Sequence, residues 1–348
     1  MDYKRYESIA PYMRWMPFFQ FDKTKPQFRI DNFVEETVLR FPFCNLVHFR
    51  PLAESGEKAR KVLIVAPLVG HHASLCRDTV RALLPDSEVW TTDWIDARLV
   101  PQESGRFGLA GYVKYLQEFM KMLGEELHVV AVGQGGLPAV AAVARSATMG
   151  LPQPATLTLL GSLIDVRCGP MRITELLKNM PIEKIKQSLS EVPMNYPGRR
   201  RCVLPGYMQR AVFLSRTPME RDEFEGLGEK HEFDDEYKTV LDLDAEFFID
   251  TIQACFKEYS LPRGLLNVDG DLVRPQDIRR TAFLSVEGRC DDIAGVGQTS
   301  AVHGICPDAV AHENFVVEKA NHYSVFCGKT FRNHIVPRID QFIGQHTR

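Results

Sequence analysis

LHVVAVGQGGLPAVAAVA, residues 127–144, decides the fold class. Leu127 to Val132 reads as an apolar strand and Gly133-Gln134-Gly135-Gly136 as a tight turn. An Ala/Val-rich helix follows from about Pro138 to Ala147, with proline near its first turn, where a missing N–H leaves no bond unmade. The same order recurs upstream. Val62 to Val65 is a continuous apolar run ended by Ala66-Pro67, the pattern of a strand buried on both faces, as in a parallel sheet. A helix is expected next, with Ser74 as its N-cap and Pro85-Asp86 as its stop, before a second strand at Glu88 to Thr91. From Leu109 the apolar residues Tyr112, Val113, Leu116, Phe119, Met120 and Leu123 step by three and four until Gly124, which predicts a helix. Further strands are predicted at Thr156 to Leu160, Thr281 to Val286 and near Phe315 to Val317, with a closing helix around Phe331 to Ile343. Strands alternating with helices imply an α/β fold, an open and mostly parallel sheet with helices on both faces.

The stretches outside this alternation set the domain limits. Residues 1–55 are rich in aromatics and proline, among them Tyr12, Met13, Trp15, Met16, Phe18, Phe19 and Phe21. They are expected to pack on the core or on a partner protomer, with the regular fold starting after the charged turn Glu54 to Lys61. Residues 161–280 show weak strand signals and helical stretches at Ile173 to Leu189 and Thr239 to Phe256, which mark a cap or lid insertion. Residues 56–160 and 281–348 are left as the core.

A chain of 348 residues can bury a core of that size, and 45% hydrophobic with 25% charged residues is the composition of an ordinary globular protein. The net charge of −3, from 42 basic and 45 acidic residues, gives no electrostatic reason to expect nucleic acid as a partner. Arg199-Arg200-Arg201 reads as a solvated surface run. Apolar runs such as Val62 to Leu68 fall far short of the ~20 residues a membrane span needs, so no transmembrane segment is expected. The charged N-terminus lacks the h-region of a cleaved leader. Eight scattered cysteines with no C-x-x-C pair fit the reduced thiols of a cytoplasm.

In an open parallel sheet reactive groups gather just past the carboxyl ends of the strands. Three strand ends carry candidates. The first is Val132-Gly133-Gln134-Gly135-Gly136, whose strand-turn-helix context is that of the nucleophile elbow of α/β-hydrolases, with glycine at the nucleophile's position, 133. The second is Arg289-Cys290-Asp291-Asp292, where Asp291 or Asp292 would be the acid that orients a histidine. The third is Asn321-His322-Tyr323, where His322 would be the general base. Nucleophile position, acid and base then run in the chain order of that fold. Leu68, Val69 and Gly70, after the first buried strand, offer backbone N–H groups for an oxyanion, with Gln134 beside the elbow. The turn lacks a phosphate-binding lysine motif, and His71-His72 has no carboxylate or cysteine at ligand spacing. No cofactor and no metal are therefore expected.

At this point the chain resembles the intracellular polyhydroxyalkanoate (poly-3-hydroxybutyrate) depolymerases, a family of α/β-hydrolase fold. The resemblance rests on VAPLVGHHASLCRDTVRALLPD (65–86), TDWIDARLVPQESGRFGLAGYV (92–113), PGYMQ (205–209), DEYKTVLDLDAEFF (235–248), VEGRCDDIAGVGQTSAVHGIC (286–306) and NHYSVFCGKTFRNHIVPRI (321–339). It implies Asp291 as triad acid, His322 as base and the insertion as a cap over the site. It also implies a hydroxyalkanoate oligomer or a storage-polyester granule as partner, in the cytoplasm or on the granule; a homo-oligomer is left open. The family carries cysteine at the elbow followed by Gln-Pro, where this chain has Gly133-Gln134-Gly135. Two readings follow from the glycine: an ester hydrolase with diminished activity, or a binding or regulatory protein without turnover. Gly135-Gly136 also resembles the elbow of the polyhydroxyalkanoate synthases, which makes a synthase-like acyltransferase a further alternative.

Overall fold

The computed structural model describes residues 28, 30–52, 60–208 and 240–347. Their centre is an eight-stranded sheet of β1 (Phe33–Arg40), β2 (Cys44–Pro51), β3 (Arg60–Val65), β4 (Ser87–Trp94), β5 (Leu127–Val132), β6 (Thr156–Leu160), β7 (Ala282–Gly288) and β8 (His312–Val317). The spatial order is β1-β2-β4-β3-β5-β6-β7-β8. β2 runs antiparallel to both β1 and β4, and every other pair is parallel. Every residue of β5, β6 and β7 is buried, which is why apolar residues dominate these strands.

The regular fold therefore begins before residue 55. β1 and β2 lie inside the segment expected only to pack on the core. β1 is a half-exposed edge strand with two exposed glutamates, so it carries no continuous apolar signal. The aromatic residues Tyr12 to Phe21 lie outside the described residues.

Helices α1 (Arg77–Leu83), α2 (Leu109–Leu123) and α3 (Gly136–Thr148) connect the central strands. From β3 the chain steps outward to β4, then returns across β3 to β5. Right-handed crossovers thus put α1 on one face and α2 with α3 on the other. α2 matches its expected limits, buries the predicted stripe and ends at Gly124. The helix expected from Ser74 differs. Its first turn, Ala73–Cys76, is a tighter 3-10 turn, and Ser74 is buried within it instead of capping it.

The direction of winding reverses at β3, so the loops leaving β3 and β5 diverge and open a crevice between the ends of two adjacent strands. The elbow and the Leu68 loop flank that crevice.

Residues 161–280 contribute α4 (Arg172–Asn179), α5 (Ile182–Lys186), α6 (Ala245–Ile252) with a widened turn at Gln253–Lys257, and a small sheet of Ser190–Glu191, Cys202–Leu204 and Leu243–Asp244. The helix expected over Ile173 to Leu189 is broken between Asn179 and Ile182, where Pro181 bars helical geometry for the residue before it.

Two buried ionic clusters join this region to the core. Arg201 was expected to be solvated, yet it is only 5% exposed. Its guanidinium donates to the carbonyls of Val100, Pro101 and Gly105 and to Asp244 Oδ2 at 2.8 Å, and stacks over Phe43. A three-residue basic run says nothing about which member will find carbonyls and a carboxylate brought in from elsewhere.

In the second cluster Arg98 bridges Asp96 and Asp242, and Asp242 also accepts from the Gly206 N–H. Burial, and then the charge of Asp242, pushes the Asp96 carboxyl up to about 8. A folded value above the unfolded one means stability that is fully present below about pH 4 and lost as pH rises through about 8. Burial lowers His128 and His303 to about 4, which makes both silent above pH 7. The unfolding free energy is therefore expected to fall by about 1 kcal/mol between pH 7 and 9, and Asp96→Asn to flatten that slope, as read from denaturation midpoints. An unchanged slope in the variant would remove Asp96 as its source.

Candidate active site

Gly133 leaves β5 with φ +53°, in the left-handed region that a side chain enters only at a cost. Close packing behind it explains the next glycines. A Cβ on Gly135 would come within 2.9 Å of the Val65 carbonyl oxygen, and one on Gly136 within 2.2 Å of Ser162 Oγ. Position 133 is different. There a Cβ would meet only His322 Nε2 at 3.7 Å and Pro67 Cβ at 4.0 Å, both ordinary contacts. The turn is an elbow by geometry, with room for a side chain that the chain does not supply.

Asp291 follows β7 and is the acid that meets His322; Asp292 is exposed to solvent. Asp291 Oδ1 accepts from the N–H groups of Ile293 and Ala294, and Oδ2 from His322 Nδ1 at 2.8 Å. A carboxylate only accepts, so Nδ1 carries the proton and Nε2 turns its lone pair towards position 133. The turn after β7 is itself held. Glu287 is buried in the strand, and its Oε1 accepts from the N–H groups of Gly297, Thr299 and Ser300. On the other side Asn321 Oδ1 accepts from the backbone and hydroxyl of Ser324, and Thr79 of α1 donates to the Phe326 carbonyl.

Sequence reasoning missed both Glu287 and Gly161. A Cβ on Gly161 would stand 3.4 Å from both His322 Nδ1 and Asp291 Oδ2. A glycine immediately after β6 was the available signal.

The Leu68 loop is anchored at Ala66, whose carbonyl accepts from Trp94 Nε1 and Tyr112 OH and whose N–H donates to Thr92 Oγ1. The Leu68 N–H, expected to face an oxyanion, donates instead to Gln134 Oε1 at 3.1 Å. Gln134 thus ties the elbow to the loop. Gly70, at φ +92°, turns the chain so that its carbonyl accepts from Leu241 N, and Val69 lines an apolar cavity described below. The structure therefore brings Gly133, Gln134, Leu68, Asp291 and His322 to one place, and leaves Asp292 out of it.

A family model, PHB depolymerase C-terminus, matches residues 161–347, more than half of the chain. The chain belongs to the PHB depolymerase family. The matched segment holds both Asp291 and His322, whereas the elbow lies before it. No curated protein matches the chain.

Among solved structures, a hydrolase from Pseudomonas aeruginosa PA01 superposes with a TM-score of 0.54 at 14% identity, over 91% of this chain and 100% of that one. A carboxylesterase of the thaumarchaeon Nitrososphaera gargenis gives 0.50 at 11%, over 90% and 99%. A membrane phospholipase A gives 0.51 at 13%, over 90% and 86%. At such identities the likeness is one of fold, and the fold of this PHB depolymerase family member is that of the α/β-hydrolases. No helix among its described residues is long and apolar enough to cross a membrane.

Proposed function

We propose that this chain binds storage polyester, as polyhydroxyalkanoate granules or hydroxyalkanoate oligomers, at the crevice between the elbow and His322, and forms no acyl-enzyme. The observation that carries this reading is the Asp291–His322 pair, hydrogen-bonded at 2.8 Å, beside a residue 133 that has no nucleophile. Asp291 orients the imidazole, and Gln134 shapes the loop against which an ester carbonyl would lie. Without Oγ or Sγ at 133 the covalent route has no first step, and only the weak contribution of binding and electrostatics remains. The family and the free thiols among the described residues together support a cytoplasmic protein that works at the granule, with residues 161–280 as the cap over the crevice.

A second reading rests on the lone pair at His322 Nε2. A water placed there would give its proton to the imidazole while its oxygen adds to the ester carbonyl. Collapse would expel the alcohol, which takes the proton back from His322.

The experiment incubates the purified chain with amorphous poly-3-hydroxybutyrate granules and measures cosedimentation and release of 3-hydroxybutyrate. Cosedimentation with no release above a His322→Ala control is the expected result. Release that depends on His322 would replace the binding reading with the water route, and failure to sediment with the granules would overturn both.

A further inference from the structure

An apolar cavity of about 150 Å3 opens beside the elbow. Leu68, Gln134 and Leu163 form its floor, and Phe247, Ile252 and Phe256, from α6 and the turn that follows it, form its wall. Nine of its 12 lining residues carry pure hydrocarbon side chains and none carries a charge, so it suits a neutral hydrocarbon group and rejects a carboxylate. Apolar cavities of this size in other proteins hold a molecule as large as benzene, about six carbons. The methyl arm of a 3-hydroxybutyrate unit would leave most of the space unfilled.

We infer that this cavity receives the alkyl arm of a medium-chain 3-hydroxyacyl unit, of about five carbons, while the ester group lies at the mouth by Gln134 and position 133. The inference rests on the ester-binding reading above and goes further, naming the monomer class. The wall belongs to α6, whose N-cap Asp244 is held by Arg201, so the cavity is shaped by the same region that covers the strand ends. Each methylene taken from water adds affinity, and the longer arm gains about four of them over methyl.

The test is calorimetric titration of the full chain with methyl 3-hydroxybutyrate and methyl 3-hydroxyoctanoate. The octanoate is expected to bind at least about tenfold more tightly. Ile252→Trp fills the cavity from its wall and should reduce the preference to less than about threefold. Cys255→Phe does the same from a neighbouring position should the first variant not fold. Equal affinities in the native chain, tighter butyrate binding, or a preference that survives in a folded cavity-filled variant would each overturn the assignment and leave the ester-binding reading standing. Binding of neither ester would overturn both.

Discussion

Replacing Gly133 with cysteine is expected to turn this chain into an ester hydrolase, with turnover of hydroxyalkanoate esters at least about 10³-fold above the native chain. The geometry is already in place. The backbone at 133 holds φ +53°, a Cβ there lies 3.7 Å from His322 Nε2, and Asp291 fixes the imidazole with its lone pair towards that point. The new thiol would lose its proton to Nε2, and its sulfur would add to the ester carbonyl; collapse would break the ester C–O bond and expel the alcohol, which takes that proton from His322 and leaves the acyl-enzyme. The acyl-enzyme would then yield to a water activated by the same histidine. A side chain in the left-handed region costs about 1 kcal/mol, which a well-packed core tolerates. Gly133→Ala adds the Cβ without the nucleophile and should leave the rate at the native level. His322→Ala in the cysteine background should abolish the gain. A folded Gly133→Cys chain that hydrolyses nothing would mean that the elbow has lost more than its nucleophile, and that the Asp–His pair is retained for structure.

Arg201→Ala is expected to lower the unfolding free energy by about 3–5 kcal/mol, measured by denaturant titration. The guanidinium is buried, and its removal leaves Asp244 without its counter-charge and the Val100, Pro101 and Gly105 carbonyls without their donor. The loss is one of an unpaired buried charge, so Arg201→Met combined with Asp244→Leu should recover much of it. Because Asp244 caps α6 through the Glu246 N–H, the single variant should also weaken ester binding at the cavity wall. A change below about 1 kcal/mol would show that this cluster is not what joins the two regions.

The central strands and helices were legible because each carries a local period. β5 and β6 match their expected limits, and α2 follows its stripe to Gly124, since a strand buried on both faces is dominated by apolar residues and a half-buried helix must repeat every three or four residues. Of the candidate site, Gly133, Asp291 and His322 could be picked out because the fold puts chemistry at strand ends in a set chain order.

What escaped the sequence depends on pairing across distance. The edge strand β1 pairs only with β2 and is half exposed, so its residues show no clean apolar pattern. The choice of Asp291 over Asp292 is a matter of which carboxylate the turn after β7 directs inward, and that turn is held by Glu287 through three amides. Arg201 became a buried anchor because the Val100–Gly105 loop and Asp244, remote in sequence, arrive around it. The size of the cavity follows from how α6 lies over Leu68 and Gln134. By itself, then, the sequence determined the central parallel strands, the place of the elbow and the strand ends that carry Asp291, Asp292 and His322, because those rest on local periodicity and chain order. Tertiary structure alone decided which groups meet, how far apart they stand and what space is left between them, because packing and burial are properties of elements brought together and not of any one segment.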